Sequence, residues 1–396
     1  MESPCYLDNA ATSFPKPESV YSACDQWLRN AGSAFGRGSH SGTMDADRLV
    51  QRCRTAVAHL LNVNSPDRIA FTFNGTDGLN LLLRGFLRRG HRVITTVLEH
   101  NSVLRPLRQL EHELELDVVF ADFDPTTGQT DPASVERLLA ERSTNLLVIN
   151  HASNVTGMIQ PAAELTQLAH QFGAMVLLDA AQTAGHVPLD LTTLNVDFMA
   201  ASGHKGLLGP LGTGIVYVAA DREQLLRAAR SGGTGTDSES EQQPTAMPAF
   251  LESGNMNLPG LAGLLAAVEW LVEEEIDNIH QRLSEQTAQL ADELREMAGV
   301  TVYGHQDRNS NSGIVSFTID GADSREVGTI LDQSFNIRAR TGLHCAPRMH
   351  AALQTLTSGG TVRFSPGPFT TIEDINRAID AVQQIATAYI SQGLRP

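Results

Sequence analysis

The chain is short of positive charge. Against 45 aspartates and glutamates stand 29 lysines and arginines, a formal net charge of -16 over 396 residues. Nucleic acid needs a basic footprint, so no nucleic-acid partner is expected. An anionic membrane surface is disfavoured for the same reason. Long apolar runs are missing too. The longest, Leu258 to Val272, carries Pro259 and Glu269 and is too short to span a bilayer. The start, Met1-Glu-Ser-Pro-Cys-Tyr6, has neither a basic n-region nor an apolar h-region, so no signal peptide is expected. Only four cysteines occur, at 5, 24, 53 and 345, without paired spacing. That argues against a disulfide framework and fits a reducing, cytoplasmic location. No internal repeat is visible. What is present is 41% hydrophobic residues, enough at this length to bury a large core in two domains.

The middle of the chain alternates. Strand-like runs fall near 69–73, 92–96, 117–121, 145–150, 174–179, 197–201 and 214–219. Helical patterns such as Leu79 to Arg89 and Val103 to Glu115 lie between most of them. That order predicts an α/β domain with a mostly parallel sheet and helices on both faces. After Ala228 the character changes. Residues 231–248 hold almost nothing apolar and read as a long mobile loop. Helices are predicted from about 259 to 298, near 324–334 and near 372–388. Shorter strands near 300–303, 313–319 and 336–339 complete a smaller α+β domain.

One stretch carries chemistry. An apolar run from Asp197 ends in Ser202-Gly-His-Lys205, and a glycine-rich turn follows. A lysine used covalently must lose its proton, which a tight apolar loop favours by desolvation. Ser202 and His204 are donors suited to a phosphate. Upstream, the continuous apolar run Met175 to Leu178 ends in Asp179. Ligands of open α/β sheets collect at such carboxyl ends. An Asp there is commonly a cap, and a lone Lys is commonly exposed. Together they suggest pyridoxal 5'-phosphate, which needs a lysine for its covalent link and an acid for its ring nitrogen. Phe71-Thr-Phe-Asn-Gly-Thr-Asp-Gly78 reads as strand, glycine turn and helix start. A helix N-terminus suits an anion, and Gly75 allows close backbone approach. An ordinary helix cap fits these residues equally well.

Other candidates are weaker by themselves. His100, beside Glu99, reads first as a structural histidine. Cys5, Cys24 and Cys53 read as small buried hydrophobes. Cys345 differs, because Gly342-Leu-His-Cys-Ala-Pro347 is turn-rich and basic neighbours such as His344 and Arg340 lower a thiol pKa. His344, Cys345 and His350 also form a partial zinc set, without a fourth ligand nearby; no metal is expected. Arg363 follows the strand-like Thr361-Val362 and could hold a carboxylate with both arms. A surface salt bridge is its commoner role.

Eight segments in order resemble one family. They are Tyr6-Leu-Asp-Asn-Ala-Ala-Thr12, Asn74-Gly-Thr-Asp-Gly-Leu-Asn80, Leu98-Glu-His-Asn-Ser102, His151-Ala-Ser-Asn-Val-Thr-Gly157, Leu178-Asp-Ala-Ala-Gln182, Ser202-Gly-His-Lys205, Arg340-Thr-Gly-Leu-His-Cys345 and Thr361-Val-Arg-Phe-Ser365. Each is weak alone. In this order the chain resembles the class V branch of the fold-type I pyridoxal phosphate transferases, and within it the cysteine desulfurases of the short-loop second group.

The resemblance implies specific roles. Gly75, Thr76, Ser202 and His204 make a phosphate cup. Asp179 meets the ring nitrogen, Gln182 and Asn154 sit near the phenolic oxygen, and His100 stacks on the ring and shuttles a proton. Lys205 carries the cofactor and Cys345 accepts sulfur from L-cysteine. Arg363 anchors the substrate carboxylate, with Arg340 and Ala11 as further substrate contacts. A homodimer is implied, in which the partner subunit adds a phosphate contact. The family segment for that contact reads Gly254-Asn-Met-Asn-Leu258 here, so Asn255 takes the place of a threonine. Leu343 stands where the family commonly has histidine. The short-loop group implies a separate sulfur-acceptor protein. The expected division is 19–262 for the large domain and 263–396 for the small one, with 1–18 packing on the latter. Selenocysteine lyase, cysteine or cystine C–S lyase and an epimerase-like reaction are alternatives on the same fold. A metal-dependent hydrolase built on the His/Cys cluster is the alternative from another class.

Overall fold

The structure, a computed structural model, describes residues 4–36, 38–236, 239–304 and 310–391. Among the described residues thirteen strands form in chain order: β1 Cys5–Tyr6, β2 Ile69–Thr72, β3 Arg92–Thr96, β4 Asp117–Ala121, β5 Leu146–Asn150, β6 Met175–Asp179, β7 Phe198–Ser202, β8 Gly214–Val218, β9 Val300–Tyr303, β10 Val315–Ile319, β11 Ile337–Arg338, β12 Arg340–Gly342 and β13 Thr361–Phe364. A seven-stranded sheet has the order β2-β8-β7-β6-β5-β3-β4. Its pairs β4/β3, β3/β5, β5/β6 and β6/β7 are parallel, while β8 runs antiparallel to both neighbours. This is the mostly parallel α/β sheet that the alternation predicts. Strands β3, β5 and β7 are buried throughout, which explains the apolar runs Leu146–Ile149 of β5 and Phe198–Ala201 of β7.

Each face of this sheet has its own core. One contains Ile94, Ile149, Val176 and Met199, packed with the helices Ser41–Leu60 and Leu258–Glu274. The other contains Val93, Val148, Leu177 and Phe198, packed with the helices Gly75–Phe86 and Asn101–Leu114. Alternate residues of one strand thus feed opposite cores, as the two-residue period requires. The helix Leu258–Glu274 stays with the first core as far as Leu271.

A four-stranded antiparallel sheet, β12-β13-β10-β9, forms a third core with the helices Ile276–Glu296, Ser324–Phe335 and Ile372–Ser391. The N-terminal segment joins it: β1 pairs in parallel with β11, and Cys5 and Leu7 are buried among Ile337, Val362 and Phe364. Ser13 then donates its N–H to the His204 carbonyl at 3.0 Å, tying this segment to the Lys205 turn.

No helix or strand forms between 226 and 257 among the described residues. A buried ion pair anchors this segment to the edge strand β2. Arg54 meets Glu252 with both arms, at 2.8 and 3.0 Å, with side chains 0% and 4% exposed. Glu252 also accepts the Phe71 N–H at 2.7 Å, satisfying a donor on the sheet edge. Removing one partner leaves the other charge buried alone. Glu252→Ala should therefore cost about 3–5 kcal/mol, read by denaturant unfolding. A loss below about 1 kcal/mol, the range of an exposed pair, would show that the pair does not anchor the segment. Among the described residues no helix is long and apolar enough to cross a membrane.

Candidate active site

A cavity of about 500 Å³ opens at the carboxyl ends of β3, β5, β6 and β7. Strand pairing builds its floor. In β5 and β6 the register sets Asn150 opposite Asp179, and Ser202 ends the next strand but one from β5. Ala11, Gly75, Thr76, His100, Asn154, Asp179, Gln182, Ser202, His204, Lys205, Arg340 and Arg363 all line it. Twelve positions scattered from 11 to 363 thus converge on one space.

One end of the cavity rests on the helix Gly75–Phe86. Asn74 caps it by accepting the Asp77 N–H at 2.9 Å. Gly75 donates its N–H to Ser202 Oγ at 3.2 Å. A Cβ at Gly75 would lie 2.7 Å from that oxygen, so glycine is required by contact rather than by φ. Thr76 Oγ1 lies 2.8 Å from Ser102 Oγ, which lies 2.7 Å from His100 Nδ1.

The polar groups have shifted proton affinities. Burial lowers Lys205 to about 8; Asp179 opposes this, while Arg363 and Arg340 add to it. Burial raises Asp179, against the Ala181 N–H that donates to it at 2.9 Å and against Lys205. Burial, with Lys205, Arg340 and Arg363 adding, lowers His100 to about 3. His204 is lowered to about 4 by burial and by Lys205 and Lys16. Both histidines are therefore neutral at pH 7. Glu99 is raised to about 8 by burial and by Asp179, and its Oε1 accepts from Thr96 Oγ1 at 2.9 Å and from the Asn150 N–H at 3.0 Å.

Arg363 is not a surface residue. It is 1% exposed, donates to Asp8 at 3.0 Å and to the Asn154 carbonyl at 2.9 Å, and keeps a buried Nε without partner. Arg340 stands opposite it in the β12/β13 register, so two cations face one end of the cavity.

Cys345 sits at the cavity's edge rather than in its lining. Arg340, which does line it, approaches Cys345 Sγ at 3.7 Å. The loop is held from the large sheet's side. Asn154 Nδ2 donates to the His344 carbonyl at 2.6 Å, and the Asn101 N–H donates to the Cys345 carbonyl at 2.7 Å. Leu98, Val155, Ala346 and Met349 pack as a separate apolar cluster beneath it. His344 and Cys345 both adopt positive φ, 46° and 59°, a conformation that costs non-glycine residues. The hydrogen bonds and this cluster offset that cost. His344 and His350 rings lie 2.9 and 2.7 Å from the hydroxyls of Thr361 and Thr355. Among the described residues no group of three or more His, Cys, Asp or Glu could hold a metal ion.

Asn255 is not brought to this cavity by its own chain. It lines a neighbouring cleft with Phe73 and Arg230, and Gly212 borders both spaces. Sequence reasoning misses Ser102, Asn150, Asp8 and the backbone clamp on the Cys345 loop. Ser102 lies inside a quoted motif and could have been found as the helix-start residue beside His100. The other contacts join residues far apart in the chain and leave no local signal.

Comparison with known proteins gives a consistent picture. Residues 5–378 match the family Aminotransferase class-V. The chain is 36% identical over 387 residues to a protein of Methanothermobacter thermautotrophicus named probable cysteine desulfurase, covering 96% of this chain and 94% of the relative. It superimposes on the apo structure of a cysteine desulfurase from Thermococcus onnurineus NA1 with a TM-score of 0.90 at 29% identity, covering 97% of this chain and 95% of that one. The cysteine desulfurase CsdA (S-sulfonic acid) from Escherichia coli superimposes with a TM-score of 0.85 at 28% identity, covering 96% and 94%.

Proposed function

The chain belongs to the class V aminotransferase family, and we propose that it is a pyridoxal phosphate-dependent cysteine desulfurase. It takes the sulfur of L-cysteine onto Cys345 as a persulfide and releases L-alanine. The observation that carries this reading is the convergence on one cavity of Lys205, Asp179 and two arginines, with Cys345 at the rim.

The residues fit the cofactor. Asn154 Oδ1 and His204 Nδ1 are buried polar atoms without partners in the protein. The Gly75 contact leaves no room for a side chain beside Ser202. Gly75, Thr76, Ser202 and His204 would hold the phosphate, Asp179 the ring nitrogen, Gln182 and Asn154 the phenolic oxygen, and His100 the ring face. Bound there, pyridoxal 5'-phosphate supplies a covalent hold on the substrate amine and an electron sink for its α-carbon.

The chain's own groups do the rest. Lys205, with its pKa near 8, is partly neutral at physiological pH and can take the α-proton. Arg363, which lines the cavity and is held in place by Asp8, orients the substrate carboxylate. Cys345 attacks the substrate sulfur as thiolate: a sulfur–sulfur bond forms, the carbon–sulfur bond breaks, and a proton completes alanine. We also read the protein as a cytoplasmic homodimer in which the partner supplies an asparagine contact equivalent to Asn255. A separate acceptor protein then removes the persulfide sulfur.

Incubation with L-cysteine tests the assignment. Alanine and protein-bound persulfide are expected; pyruvate and free sulfide in their place would mean a lyase. Arg363→Lys keeps the charge but loses the fork. It should lower kcat/KM for cysteine about 10- to 100-fold, the loss of one charge-assisted hydrogen bond, mainly through KM. An unchanged KM would remove Arg363 as the carboxylate anchor.

A further inference from the structure

We propose that Ser102 holds the neutral His100 ring as the Nε2–H tautomer, so that His100 enters the site as a hydrogen-bond donor and not as a base. Two contacts converge on His100 Nδ1. The backbone N–H of Ser102 donates to it at 3.0 Å, and Ser102 Oγ lies 2.7 Å away. A backbone N–H can only donate, so Nδ1 must present its lone pair. The proton in the shorter contact then belongs to the Ser102 hydroxyl. With that hydrogen spent, Ser102 Oγ can only accept from Thr76 Oγ1 at 2.8 Å. The order is fixed: Thr76 donates to Ser102, and Ser102 donates to His100. The neutral ring carries its own proton on Nε2, the nitrogen left for the cavity that His100 lines.

The surroundings support this. The charged groups facing the ring are Lys205 after β7, Arg340 on β12, Arg363 on β13 and Arg105 on its own helix, all cations that oppose a second proton. Its chain neighbour Glu99 is turned away onto Thr96 and Asn150. A neutral ring with a committed Nδ1 and a protonated Nε2 has no free lone pair for the substrate. Proton abstraction therefore falls to Lys205, and His100 steadies developing negative charge by donation. Ser102 is thus a positioning residue, acting through His100.

The kinetic half of the test rests on the desulfurase reading; the spectroscopic half does not. The holoenzyme labelled with ¹⁵N-histidine is examined by long-range ¹H–¹⁵N correlation at neutral pH, with His100→Gln identifying the signal. A protonated Nε2 and a bare Nδ1 are expected. Ser102→Ala should move the Nδ1 resonance downfield, as a lone pair losing a donor, and lower kcat about fivefold, the equivalent of one hydrogen bond. Ser102→Thr should restore both. A protonated Nδ1 in the parent protein would overturn the proposal, as would an Nδ1 resonance unmoved by Ser102→Ala. A protein inactive toward cysteine but showing the Nε2–H pattern would sink the desulfurase reading and leave this assignment standing.

Discussion

Replacing Lys205 by alanine should abolish both the covalent hold on the cofactor and nearly all turnover. Borohydride should no longer fix the cofactor to the protein, and alanine formation should fall by roughly a thousandfold or more, the range for loss of a positioned base that is also the covalent residue. The fold should survive, because the substitution removes a desolvated amine that makes no ion pair among the described residues. Among the described residues no other lysine lines the cavity to replace it. Turnover at the parent rate in this variant would remove Lys205 from the mechanism.

Replacing Cys345 by alanine should separate sulfur transfer from the rest of the chemistry. Cys345 lies outside the cavity lining, so Lys205, Asp179 and the proposed phosphate ligands Gly75, Thr76, Ser202 and His204 are untouched. The yellow cofactor should remain, and cysteine should still perturb its spectrum. Persulfide should vanish, and alanine formation should fall by orders of magnitude. Selenocysteine should keep part of its turnover, because selenium leaves carbon more readily than sulfur and depends less on a thiol acceptor. Alanine made from cysteine at the parent rate would replace the desulfurase assignment with a lyase.

The central strands were legible because they are buried on both faces, as β5 is throughout and β6 nearly so, whereas the edge strand β4 is only half-buried and was legible from the short apolar run Val118–Ala121. The runs predicted at 92–96 and 117–121 coincide with β3 and β4. Burial of β5 leaves the unbroken apolar run Leu146–Ile149 between polar residues, and no tertiary fact is needed to see it. The two-residue β1 was not legible as a strand, since its partner β11 lies more than 300 residues away. The same division holds within the site. Ser202-Gly-His-Lys205 and Asp179 announce themselves locally, each at the end of an apolar run. The Asp8 contact to Arg363 does not, because two sheets must pack before the pair exists. Cys345 shows why identity and geometry separate. The motif names the cysteine, but the left-handed turn at His344 and Cys345 depends on Asn154 and Asn101 reaching across from the other core.

The shifted groups follow the same physics. Lys205 and His100 titrate abnormally because they are desolvated beside two arginines contributed by β12 and β13. Sequence alone offers the arginines and the lysine, but not their shared space.

The most direct measurement is a single turnover with substoichiometric L-cysteine, without any acceptor protein. The reaction is quenched, the protein digested without reductant, and the peptide bearing Cys345 weighed while free alanine is counted. One additional sulfur on that peptide, in a quantity equal to the alanine released, is the predicted result. Alanine with no added sulfur on Cys345, or the sulfur found on Cys5, Cys24 or Cys53 in its place, would contradict it.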